Sequence, residues 1–115
     1  MARTAARAAS AKGADDTVIL EVGPVLAICD EFVLTSGRNP RQVRTIAEEV
    51  EERVRAEGGG SPLRVEGFEH AEWVALDYGD FVVHVFLEET RRFYQLERLW
   101  KDAPVVEWEP ADAPR

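Results

Sequence analysis

Residues 66–100 read EGFEHAEWVALDYGDFVVHVFLEETRRFYQLERLW, and the fold turns on how they are paired. Two apolar segments, residues 73–78 and 81–87, flank a short turn through Gly79 and read as an antiparallel strand pair. Period two sets Trp73, Ala75 and Asp77 on one face of the first strand and Val74, Leu76 and Tyr78 on the other. The second strand groups Val82, His84 and Phe86 against Phe81, Val83, Val85 and Leu87. Both faces are largely apolar, so the sheet is expected to be covered on both sides. The pair runs straight into a helix starting at Glu88 or Glu89, where carboxylates suit the positive end of the helix dipole. Phe93, Leu96, Leu99 and Trp100 form its apolar stripe, and Ala103-Pro104 ends it.

Upstream, residues 40–57 carry a complete set of helix signals. Asn39 is a good N-cap, Pro40 suits the first helical position, and Gln42 stands in the N3 slot of a capping box. Val43, Ile46, Ala47, Val50 and Val54 fall on one stripe, and Gly58-Gly59-Gly60 ends the helix. Residues 17–22, 32–35 and 63–66 read as three more strands, and the alanine-rich residues 5–11 favour helix. The order α-β-β-α-β-β-β-α predicts an α/β fold: a mixed five-stranded sheet flanked by helices in a single domain. Residues 1–12 form a basic, alanine-rich segment, frayed or helical; residues 13–108 form the domain; residues 109–115 form a disordered tail.

Charge is divided unevenly. Arg3, Arg7 and Lys12 give residues 1–12 a net +3 without an acid, while the whole chain stands at −8. An acidic body repels nucleic-acid phosphates, so little direct nucleic-acid contact is expected; it is drawn instead to a basic protein surface. Cys29 is the single cysteine, which excludes an internal disulfide and suits a reducing compartment, here the cytoplasm. No apolar run approaches the ~20 residues that span a bilayer, so no membrane association is expected.

Chemistry-bearing residues are few. Asp77 and Asp80 flank a turn and are candidates for a divalent cation, but turn chemistry alone accounts for their spacing. Ser36-Gly37 precedes a capped helix without the glycine pattern or lysine of a phosphate loop. His84 lies in an apolar strand and His70 in a loop, with no partner spacing for zinc. Cys29 has no basic neighbour and reads as buried and inert. No nucleophile constellation can be defended, so no catalytic residue, metal or cofactor is assigned. Trp73, next to an acid-containing loop, is the better contact residue among the three tryptophans.

Asp30-x-Phe32-Val33-Leu34-x-Ser36-Gly37 and Arg41-Gln42-Val43-x-x-Ile46-Ala47 resemble the ribosomal silencing factor (Iojap-related) family. So do Glu66-Gly67, Trp73-Val74-x-Leu76-Asp77-Tyr78-Gly79-Asp80, Val83-His84-Val85-Phe86 and Arg91-x-Phe93-Tyr94-x-Leu96-Glu97-x-Leu99-Trp100. The likeness covers nearly all of the folded part. Glu31 stands where the family usually has an aromatic, and Glu21 replaces the usual Asp. The resemblance implies a nucleotidyltransferase-like shape without enzymatic activity. It implies binding to the large ribosomal subunit, through the basic ribosomal protein conventionally numbered fourteenth, on the face that meets the small subunit. Blocking subunit joining there would repress translation. It implies a homodimer when the protein is free. The residues expected to carry the contact are Trp73 and Leu76 as apolar anchors, Glu66, Asp77 and Asp80 toward cations, and Tyr94, Glu97 and Trp100 at the border, with His84 orienting a carboxylate. The alternative is a divergent nucleotidyltransferase-like nucleotide- or metal-binding protein using Asp77 and Asp80.

Overall fold

The computed structural model describes residues 1–26, 29–95, 98 and 101–110. Its strands are β1 (Asp15–Glu21), β2 (Glu31–Gly37), β3 (Arg64–Glu66), β4 (Trp73–Asp77), β5 (Phe81–Leu87) and β6 (Val105–Val106). They form one sheet in the order β3-β4-β5-β2-β1-β6. Only β2 and β5 pair in parallel, joined by a crossover through the long helix; the other pairs are antiparallel. The sheet thus has six strands, not five. The sixth is two residues that pair with Ile19 and Leu20, too short to carry a strand pattern of its own.

The helices among the described residues are α1 (Ala2–Ala11), α2 (Gly23–Leu26), α3 (Pro40–Ala56) and α4 (Glu88–Tyr94). α3 starts where its cap lies: Asn39 Oδ1 accepts from the Gln42 backbone N–H at 2.8 Å. Gln42 does not close the box on Asn39; its Oε1 accepts from the Arg38 N–H at 2.7 Å. The stripe Val43, Ile46, Ala47, Val50 and Val54 is buried in full. α1 is helical from Ala2, and Ala2, Ala5, Ala6, Ala8 and Ala9 bury their methyl groups in the same cluster as the α3 stripe. A ten-residue helix is marginal alone, so this packing holds it. Its Arg3 and Arg7 donate through Nε to the carbonyls of Glu107 and Glu109, tying the segment after β6 to α1.

One sheet face is dry. Ile19, Val33, Val74, Leu76, Phe81, Val83 and Val85 meet α1 and α3 there. The opposite face is only partly covered, against the expectation of two covered faces. Leu20, Val22, Cys29, Phe32, Leu34, Phe86 and Ala103 form a second, smaller cluster, while the β3–β4 side of this face stays open. The apolar stripe expected of the last helix is also corrected at its first member: Phe93 is 79% exposed, because α4 turns Arg91 inward and Phe93, two positions on, lies about 200° round the helix. Leu96, Leu99 and Trp100 lie outside the described residues, as do residues 111–115 of the tail expected over 109–115.

Candidate partner-binding face

Register across the open face brings distant residues into rows. Trp73 pairs with Phe86, which pairs with Ser36. Glu66 pairs with Ala75, Ala75 with His84, and His84 with Leu34. Arg64, Asp77, Val82 and Phe32 make the third row. The result is a shallow groove of ≈ 470 Å³ lined by Glu66, Gly67, Trp73, Ala75, Asp77, Val82 and His84.

Trp73, the first residue of β4, is 40% exposed beside Phe86. Its indole packs 5.1 Å from the Phe86 ring and 6.2 Å from that of Tyr94. Its Nε1–H donates to His84 Nδ1 at 3.0 Å. That bond fixes the histidine as the neutral tautomer with its proton on Nε2. His84 is wedged edge-on against Phe32, with centroids 4.7 Å apart, and its Nε2 is buried without a partner among the described residues. Burial pushes its pKa down to about 4, against the opposing pull of the Asp77 carboxylate. The histidine therefore orients Trp73 and stays uncharged at neutral pH. Gly67 secures the entry to β4: it holds φ 79°, and a Cβ there would collide with the Trp73 carbonyl oxygen.

The carboxylates are arranged less tightly than the resemblance implies. Glu66 is exposed and sits 3.7 Å from Arg64 in an open ion pair of little energetic weight. Asp77 Oδ1 accepts from the Gly79 N–H at 2.8 Å, so one oxygen serves the turn. Asp80 does not line this groove; it borders a different cavity with Glu21, Asp30 and Glu31. Among the described residues no group of His, Cys, Asp and Glu is placed to hold a metal ion. Ser36 is 1% exposed and bonded to Arg91, which removes it from any phosphate turn. Cys29 is buried, and burial together with Asp77 and Asp30 pushes its thiol pKa up.

Of the expected contact residues, the structure brings Glu66, Trp73, Asp77 and His84 together and sets Tyr94 at their border. Leu76 is a correction: it is 0% exposed beneath α3, since strand alternation sends it to the face opposite Trp73. It is core, not an anchor. Glu97 and Trp100 lie outside the described residues. Ala75 and Val82, which floor the groove, were not singled out in the sequence, although period two places Ala75 beside Trp73 and Val82 beside His84. Phe93, exposed and 5.0 Å from Tyr94, was hidden by the apolar stripe expected of its helix.

Comparison with known proteins gives this face a context. The family described as ribosomal silencing factor during starvation matches residues 1–115. A ribosomal silencing factor of Halalkalibacterium halodurans is 43% identical over 105 residues, spanning 91% of this chain and 89% of that protein. A mouse (Mus musculus) protein named mitochondrial assembly of ribosomal large subunit protein 1 is 30% identical over 91 residues, 77% of this chain and 40% of its own length. A crystal structure of a Chromobacterium violaceum protein superposes with a TM-score of 0.80 at 28% identity, covering 97% of this chain and 88% of that one.

Proposed function

Because this chain belongs to the ribosomal silencing factor family, we propose that it binds the large ribosomal subunit on its inter-subunit face and blocks joining of the small subunit by bulk alone. The partner is the basic ribosomal protein conventionally numbered fourteenth, and the outcome is repression of translation in the cytoplasm. The observation that carries this reading is the open sheet face: an exposed Trp73, held by His84 and backed by Phe86, on a chain of net charge −8. An aromatic anchor inside a carboxylate border suits a basic protein surface, and the charge would speed the encounter. A standard contact of about 800 Å² per partner would take about an eighth of the 6854 Å² surface, leaving the rest as an obstacle. No catalysis is needed. The scaffold is taken as related in shape to nucleotidyltransferases, with their chemistry absent. The nucleotide- or metal-binding alternative has less support, since Asp77 serves its turn and Asp80 faces another cavity.

Trp73→Ala is expected to weaken binding to purified large subunits by at least ~2 kcal/mol, the usual hot-spot threshold. Co-sedimentation at graded protein concentration measures it, and equal affinity of a folded variant would take Trp73 out of the contact. A free homodimer that buries the same face would compete with the ribosome as a storage form. Light scattering tests it: a monomer at micromolar concentration removes the competing form.

A further inference from the structure

α4 docks in an uncommon way. Amphipathic helices usually bury apolar side chains, yet in α4 Phe93 and Tyr94 are exposed and the buried residue is Arg91, at 5%. Its guanidinium reaches across the sheet end: Nη1 donates to the Asp16 carbonyl at 2.8 Å and to Ser36 Oγ at 2.8 Å. Local backbone geometry presents the first of these acceptors. Asp16 holds φ 52° within the irregularity where the β1–β2 register shifts between Asp15 and Val18. A bulge of this kind turns a carbonyl out of the ladder. Ser36 is in register with Phe86, which pairs with Trp73. The guanidinium therefore sits at the far end of the row that carries the exposed tryptophan.

The start of α4 is pinned next to that row, because the Leu87 N–H bonds the Glu72 carbonyl, one residue before Trp73. Tyr94, three residues beyond Arg91, then meets Trp73 and Phe93. A buried cation is a costly way to glue a helix down, and an apolar side chain of similar size would often serve as well. What a guanidinium adds is direction, through rigid donors aimed at fixed acceptors.

We propose that Arg91 is a positioning residue for partner binding: it sets the angle of α4 so that Phe93 and Tyr94 extend the Trp73 face into one continuous apolar contact. This rests on the reading of that face as the ribosome contact, and the Phe93–Tyr94 pair thereby becomes part of it. The partner surface it fits is an apolar patch on a basic protein, wide enough to meet β4 and α4 together.

The full-length variants Arg91→Met, Ser36→Ala and Trp73→Ala test the proposal, each titrated against purified large ribosomal subunits and followed by amide hydrogen exchange. Arg91→Met is expected to weaken binding about tenfold and Ser36→Ala about threefold, in line with loss of hydrogen bonds to a charged group. In both, exchange should rise in residues 88–94 while residues 40–56 keep their protection. In a Phe93→Ala/Tyr94→Ala background, Arg91→Met should cost little further affinity, because its effect passes through those rings. A purely structural arginine would instead give additive losses, which overturns the proposal. Should Arg91→Met fail to fold, Ser36→Ala decides alone, since it removes one acceptor and leaves the cation in place. Affinity lost in Trp73→Ala but kept within twofold in the foldable Arg91 and Ser36 variants overturns this proposal and spares the face. Affinity kept in Trp73→Ala overturns both.

Discussion

Leu76→Ala is expected to lower the free energy of unfolding by about 3 kcal/mol, within the range for buried leucines, while leaving ribosome affinity within about twofold of the parent, as for a residue that touches no partner. Leu76 is fully buried in the main core, in register with Val83 and in one cluster with the α3 stripe. Truncation removes both the transfer free energy of its methyl groups and the dispersion contacts of the space they filled. Trp73, three positions earlier on the same strand, should do the reverse, losing affinity with less effect on stability. Urea unfolding and co-sedimentation of the two variants side by side separate these roles. A Leu76→Ala protein of parental stability and reduced binding would restore Leu76 as an anchor and imply a β4 register shifted by one residue.

Acidification is expected to destabilise the protein through His84, by about 2 kcal/mol between pH 7 and pH 5 and up to ~3 kcal/mol by pH 4. The direction follows from proton counting. The folded-state pKa is pushed down to about 4 from the ordinary 6.5, so below 6.5 the unfolded chain binds a proton that the native protein refuses. Stability from this group is complete above pH 6.5, falls through the window, and levels off below about 4. Protonation would also give Nδ1 a hydrogen and end its acceptance from Trp73 Nε1, so local order at the groove should fail together with stability. His84→Asn, which keeps an acceptor near the Nδ1 position but has no proton to gain, should unfold in urea with a smaller pH slope between 7 and 5. Equal slopes in variant and parent would remove His84 as the source.

Much of the architecture was legible because periodicity and caps are local. The α3 stripe, its Asn39 cap and the β4–β5 pair each declare themselves within a few residues. The sixth strand did not, since two valines gain strand geometry only from the β1 edge they pair with. Coverage of the second sheet face is not legible locally for a related reason. Apolar alternation in β5 reports packing beside Phe32, Leu34 and Ala103, but cannot say how far cover of this face extends toward β3. The site shows the same division. Trp73 and Asp77 share a face by strand parity, and that parity already argued against Leu76 beside them. Arg91 opens one of the family motifs, but its role had no local signal: its acceptors lie 75 and 55 residues away, and a basic residue in a last helical turn ordinarily reads as solvated. The exposure of Phe93 depended on which side of α4 faces the sheet, which the buried Arg91 sets.

Subunit joining is the most direct test of steric silencing. Purified large subunits are incubated with the protein, small subunits are added, and the mixture is resolved on a sucrose gradient. The account predicts loss of joined ribosomes, with the protein travelling only with large subunits, and recovery of joining with Trp73→Ala. Normal joining at saturating protein, with no co-sedimentation, would contradict it.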